Sequence, residues 1–187
     1  MEYTTERMRL RSYVKTDNCN LYQLFTERFV RTYEHHLQMQ SISDVDDYIA
    51  WYLDNAASAN RTHYFTVIEL RETHEFLGIV GYSFVEEMNE NGLQGAVMEF
   101  EYYLLESHWG KGYMTEALRK VMETAFTSKH AVKLFAQCHK DNPGSENVMQ
   151  KCGMVLSAIQ PKPKDYFGVI KENVRYEITA DKYALET

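Results

Sequence analysis

The chain has 187 residues and a net charge of −7, with 44% hydrophobic and 25% charged residues. This length suits one domain over 1–187 that buries a core without disulfide or metal staples, and the composition excludes a disordered chain. The acidic balance speaks against a nucleic-acid surface. No apolar run reaches the roughly 20 residues of a membrane helix, and the opening MEYTTERMRL lacks a secretory leader. The expected location is the cytoplasm.

Residues 7–13, RMRLRSY, alternate Met8, Leu10 and Ser12 against Arg7, Arg9, Arg11 and Tyr13, as a half-exposed strand does. From Thr16 the period changes. Leu21, Leu24, Phe25 and Arg28 share a helical face, with Thr16 or Asp17 as N-cap. A second helix is expected over 41–55, where Ser43 and Asp46 approximate a capping box and Val45, Tyr48, Ile49, Tyr52 and Leu53 form a stripe.

YFTVIEL (64–70) and EFLGIVGYSFV (75–85) are rich in β-branched and aromatic residues and flank the short RETH, which predicts an antiparallel hairpin. Asn91-Gly92 marks a further turn before the strand AVMEFEYYLL, 96–105. Met114, Ala117, Leu118, Val121, Met122, Ala125 and Phe126 then form the most regular helical stripe of the chain. VKLFAQC (132–138) reads as a strand, and 145–153 as a short helix ended by Gly153. MVLSAI (154–159) and NVRYEIT (173–179) are two closing strands.

Between the strand at 96–105 and the long helix lies HWGKGYMTEA, 108–117. A strand, a short glycine loop and a helix start place backbone N–H groups and the positive end of a helix dipole at one spot, which suits an anion. A side chain at Gly110 or Gly112 would obstruct a phosphate or disfavour the backbone angles required, and Lys111 could add charge. The spacing is not that of a P-loop, because one residue separates the glycines and Lys111 precedes Gly112. Nor is it a Rossmann fingerprint, because Thr115 stands where the third glycine belongs. On spacing alone a simple strand-to-helix turn remains the other reading.

Three segments together resemble the GNAT superfamily of acetyl-CoA-dependent N-acetyltransferases, and within it the Rim-type branch that modifies N-termini of ribosomal proteins. They are TTERMRLRSY (4–13), EFEYYLLESHWGKGYMTEAL (99–118) and NPGSENVMQKCGM (142–154). The resemblance implies an α/β (α+β) fold with a mixed, mostly antiparallel sheet of six or seven strands and about four helices, in the order β-αα-βββ-α-β-α-ββ. The superfamily's Gln/Arg-x-x-Gly-x-Gly/Ala loop lies here on Trp109, Gly110, Lys111, Gly112, Tyr113 and Met114. Trp109 replaces Gln or Arg, and Met114 replaces a small residue. Met114 heads the apolar stripe, so its side chain is expected to turn inward. The resemblance further implies that the backbone of Leu104 pairs with the pantetheine arm of acetyl-CoA in a kind of strand addition. Asn142 and Ser145 would contact the lower arm and thioester. Read without the resemblance, Asn142 is a turn residue before Pro143 and Ser145 a helix N-cap.

Acetyl transfer to an amine needs a neutral amine, a stabilised oxyanion and a proton for the leaving thiolate. An N-terminal amine near pKa 8 needs only a modest base, whereas a lysine-like amine costs about 4 kcal/mol to deprotonate. Glu99 and Glu101 share a strand face with Tyr103, and mutual repulsion would raise one carboxyl toward a useful pKa. Glu99 matches a Glu common in the branch, while Glu101 stands where the branch usually has Gly. Glu99 is the preferred base and Glu101 the second candidate. The solvated face of an antiparallel sheet is the alternative for both. Ser145 is the proton donor that the resemblance supplies, with Tyr102, Tyr103 and Tyr166 as alternatives, and His108 reads as structural or surface.

No metal is implied, since adjacent His35 and His36 point to different helical faces and Cys19, Cys138 and Cys152 lack ligand spacing. The acceptor would be a protein N-terminus or a small amine such as a polyamine, antibiotic or amino acid. PKPKDYFGVIKE (161–172) carries no decodable signature beyond the aromatic Tyr166 and Phe167. A homodimer is an expectation that comes from the resemblance alone and not from the residues. A reading of a different class is a CoA-binding sensor or interaction module without catalysis.

Overall fold

A computed structural model describes residues 2–34, 37–85, 95–161 and 172–186. Two compact units emerge, Met1–Tyr82 with Tyr102–Ala117, and Ser83–Glu101 with Leu118–Thr187.

The first unit opens with strands β1 (Glu2–Thr4) and β2 (Met8–Arg11), and helices α1 (Asn18–Thr26), α2 (Arg28–Tyr33) and α3 (Ile42–Ala57) follow. It then holds β3 (His63–Leu70), most of β4 (Phe76–Val85), the end of β5 (Ala96–Leu104) and the first turn of α4 (Tyr113–Lys129). β2 pairs antiparallel with both β1 and β3. The stripe expected on α3 buries Val45, Ile49 and Tyr52 against Leu21, Phe25 and Phe65. Each such burial contributes about 1.5–3 kcal/mol. The Tyr52 hydroxyl enters this core because it donates to the Phe65 carbonyl at 2.5 Å and accepts from Arg61 Nη2 at 2.7 Å.

The start of α3 and the end of α1 differ from the sequence expectation. The α3 capping box is Ser41 with Asp44, two residues before the expected pair: Ser41 Oγ accepts the Asp44 N–H at 3.3 Å, and Asp44 takes the N–H groups of Gln40 and Ser41. Asp17 stands at the N-cap of α1, but its carboxylate accepts from the Val14 N–H and from Arg11. Arg28 begins α2 rather than extending α1, since Glu27 is extended (φ −55°, ψ 145°) and Thr26 Oγ1 donates back to the Tyr22 and Gln23 carbonyls.

The second unit holds the body of β5, the rest of α4, β6 (Ala131–His139), α5 (Pro143–Lys151), β7 (Val155–Pro161), β8 (Glu172–Thr179) and α6 (Ala180–Glu186). β5 and β6 are parallel, with α4 between them in the chain, and β8 pairs antiparallel with both β6 and β7. Met98, Phe100, Leu134, Ala136, Tyr176 and Ile178 are buried. By alternation, Glu99, Gln137 and Arg175 occupy the opposite sheet face.

The fold is mixed α/β with eight mostly antiparallel strands in the order β1-β2-β3-β4-β5-β6-β8-β7, and six α-helices among the described residues. The extra strand is β1, too short at three residues for a period to show, and the extra helices are α2 and α6. Asn91-Gly92, His35, His36, Tyr166 and Phe167 lie outside the described residues.

Candidate active site

The end of β5 leads through Leu105 and a short 3-10 turn, Glu106–His108, into the glycine loop. Gly110 and Gly112 have φ of +74° and +79°, a left-handed conformation that side chains disfavour. Their need for glycine is conformational more than spatial. A Cβ on Gly110 would meet nothing within 4 Å, and one on Gly112 would meet only Arg7 Nη2, at 3.5 Å. The first helical bond of α4 runs from the Glu116 N–H to the Gly112 carbonyl at 3.1 Å. Gly112, the residue before α4, has no side chain with which to cap the helix.

Several side chains fix this loop. The Trp109 indole N–H donates to the Leu104 carbonyl at 2.9 Å, and its ring meets Phe29 edge-on at 5.6 Å. Lys111 Nζ folds back to the Ser107 carbonyl at 3.0 Å. Met114 is 5% exposed and buried with Ala117 and Leu118, so it leaves the loop's open side clear. His108 is buried, with Nε2 3.4 Å from Glu75, which fits the structural and not the surface reading.

Arg7, read from sequence only as an outward strand residue, reaches the same loop. Its Nη1 donates to the Lys111 carbonyl at 3.0 Å and its Nε to Glu116 Oε2 at 2.7 Å, while its backbone N–H donates to Glu116 Oε1. The guanidinium also lies 4.5 Å from the centre of the Tyr113 ring. Burial pushes the Glu116 carboxyl up, but hydrogen bonds from Thr5 and Arg7, with the Arg7 charge, hold it below the usual range. More than a hundred residues separate these partners, so no local pattern could have found them.

In the second unit, Asn142 stands before α5 and its Oδ1 accepts the Ser145 N–H at 3.1 Å, with Pro143 at the first helical position. The turn reading of Asn142 therefore holds, but the helix N-cap is Asn142 and not Ser145, which is the capped residue. The Tyr176 hydroxyl donates to Glu146 at 2.8 Å and accepts from Gln150 at 2.9 Å, tying α5 to β8. Hydrogen bonding to Glu146, with burial second, raises the Tyr176 pKa. Glu99 Oε1 accepts from Gln137 Nε2 at 2.9 Å on a partly buried face, and Glu101 is two residues further along β5. The described β5–β6 pairs end at Phe100 with Ala136, although the strands run on to Leu104 and His139. Burial pushes the Cys152 thiol up to about 11, so it is protonated near neutral pH.

Leu104, Trp109, Gly110, Lys111, Gly112, Tyr113 and Met114 thus gather in the first unit, and Glu99, Glu101, Asn142 and Ser145 belong to the second. Residues 7–155 match the family model described as an acetyltransferase (GNAT) domain. The chain belongs to the GNAT acetyltransferase family. Acetyl-CoA is the cosubstrate of this family, whose members are N-acetyltransferases. An uncharacterised N-acetyltransferase of Bacillus subtilis (strain 168), YjdG, is 28% identical over 131 residues, which are 69% of this chain and 74% of that one. A RimL-type ribosomal-protein α-N-acetyltransferase solved with CoA superposes with a TM-score of 0.79 at 16% identity, covering 97% of this chain and 99% of that one. Spermidine N-acetyltransferase from Vibrio cholerae, solved with CoA and spermine, gives 0.76 at 18% identity over 95% and 98%. No helix among the described residues is long and apolar enough to cross a membrane.

Proposed function

We propose that this GNAT enzyme acts as a single 187-residue domain in the cytoplasm and transfers the acetyl group of acetyl-CoA to a primary amine, the N-terminal amine of a ribosomal or other protein. The observation that carries the donor site is the glycine loop, with two left-handed glycines leading from the end of β5 into the start of α4. Its N–H donors, from Gly110 through Met114, suit the pyrophosphate, while the Trp109 N–H is spent on the Glu106 carbonyl. The Leu104 backbone suits the pantetheine amides, in exchange for or beside the Trp109 indole that now occupies its carbonyl. Strand addition near the end of β5 is favoured by the early end of its pairing with β6.

Acetyl-CoA supplies the activated thioester carbonyl, and the side chains handle protons. Glu99, oriented by Gln137, accepts the amine proton directly or through a water, with Glu101 as the second carboxylate on that face. Ser145 gives a proton to the departing thiolate, and Asn142 fixes the start of the helix that carries it. The spermine-bound neighbour supports a second reading, a polyamine acceptor, which the net charge of −7 suits electrostatically.

The test is CoA release across a panel of ribosomal-protein N-terminal peptides, polyamines, aminoglycosides and amino acids, with Glu99→Gln and Ser145→Ala alongside. A peptide preference and a loss of turnover of roughly 100-fold or more in Glu99→Gln are expected. A polyamine preference would shift the acceptor to the second reading. Cofactor binding without release on any amine would replace both with a non-catalytic CoA sensor. Doubling of the 22.0 kDa mass on gel filtration would support the homodimer of the superfamily.

A further inference from the structure

We infer that Arg7 is the positioning residue that sets the glycine loop for its anion. This rests on the reading of that loop as the pyrophosphate site. A loop with two left-handed glycines is soft, because glycine samples both signs of φ with little penalty. Something outside the loop must select one conformation, and Arg7 has the geometry to do so. Its Nη1 holds the Lys111 carbonyl at 3.0 Å. The Lys111–Gly112 peptide is planar and trans, so holding that oxygen aims the Gly112 N–H in the opposite direction. The guanidinium is itself held, by Nε to Glu116 Oε2 at 2.7 Å and by the Tyr113 face at 4.5 Å. Glu116 in turn is fixed in the first turn of α4 and accepts the Arg7 backbone N–H at 3.0 Å.

The same geometry argues against a direct phosphate ligand. The Arg7 charge is matched by Glu116, and two of its three guanidinium nitrogens are committed within the protein. Its Nη2 lies on the Gly112 side, 3.5 Å from where a Cβ would stand. Arg7 therefore braces one side of the loop and leaves the N–H groups to meet the ligand. Arg9, two residues along, pairs instead with Glu2 and Glu69 and makes a control of equal charge.

Acetyl-CoA affinity is measured by calorimetry on wild type, Arg7→Met, Arg7→Lys, Arg9→Met and Gly112→Val, with the melting temperature of each ligand-free protein. Arg7→Met is expected to weaken acetyl-CoA roughly ten- to a hundredfold, as loss of charge-assisted hydrogen bonds does. Arg7→Lys should recover part of this, and Arg9→Met should bind as wild type. Equal weakening in Arg7→Met and Arg9→Met, or unchanged affinity in Arg7→Met, would overturn the inference while Gly112→Val still abolishes binding. Unchanged affinity in Gly112→Val would instead remove the loop reading itself. Should Arg7→Met fail to fold, Glu116→Gln serves in its place, since it releases the guanidinium without deleting it. It must weaken acetyl-CoA at least severalfold for the inference to stand.

Discussion

α4 and α5 both begin soon after a strand, yet they treat the donors of their first turn in opposite ways. At α5, Asn142 Oδ1 takes the Ser145 N–H, and Pro143 occupies a position that needs no donor. That end is completed by its own neighbours in sequence. At α4 the preceding residue is Gly112, which has no side chain to cap, and the loop is ordered by the remote Arg7 on the Lys111 carbonyl as well as by its own Lys111 on Ser107 and Trp109 on Leu104. A helix end that caps itself is stable alone. One that follows a glycine has no such side chain, and part of what orders it here, the Arg7 guanidinium, is remote in sequence.

Gly112→Val should break the α4 side of this contrast most severely. Valine at φ +79° costs about 1–2 kcal/mol in backbone strain and moves the loop's N–H groups, so the acetyl-CoA-induced rise in melting temperature should vanish. A shift of wild-type size in Gly112→Val would show that the loop does not hold the cofactor. Asn142→Ala tests the self-capped end. It should cost about 1 kcal/mol, read as a drop of about 2–4 °C in the ligand-free melting temperature, and no drop would mean that the cap is dispensable.

The smallest effect is expected at the brace. Glu116→Gln should cost about 0.2–1 kcal/mol, as partly exposed ion pairs do, and the cost should depend on pH. The Glu116 carboxyl is held below its unfolded value of 4.5, so its contribution is present above that pH and lost as pH falls through the folded value. The melting-temperature gap between wild type and Glu116→Gln should therefore be open at pH 6 and close as pH drops below 4.5. A gap that persists there would mean that the carboxylate's charge is not what matters.

Much was legible in the sequence because periodicity and turn chemistry are local. The stripe from Met114 to Phe126 is buried as its spacing predicts except at Phe126, which is half-buried, and the alternation of Met8 and Leu10 marks β2. The glycine loop was legible as well, through its place between strand and helix. Misplaced features were those where neighbours compete. Ser41 rather than Ser43 caps α3, because a serine and an aspartate stand three apart in two overlapping registers, and only the helix start selects one.

The sequence by itself determined the family, the order of elements and the glycines that the loop conformation requires, since each is written in spacing and residue type. Tertiary structure alone decided how that loop is held. The Arg7–Lys111 and Arg7–Glu116 ties span 104 and 109 residues and leave no periodic trace. It also decided what His108 meets, with its Nε2 3.4 Å from Glu75. These outcomes depend on which remote groups the fold brings within hydrogen-bonding or packing distance, and such forces act over a few ångströms of space, whatever the separation along the chain.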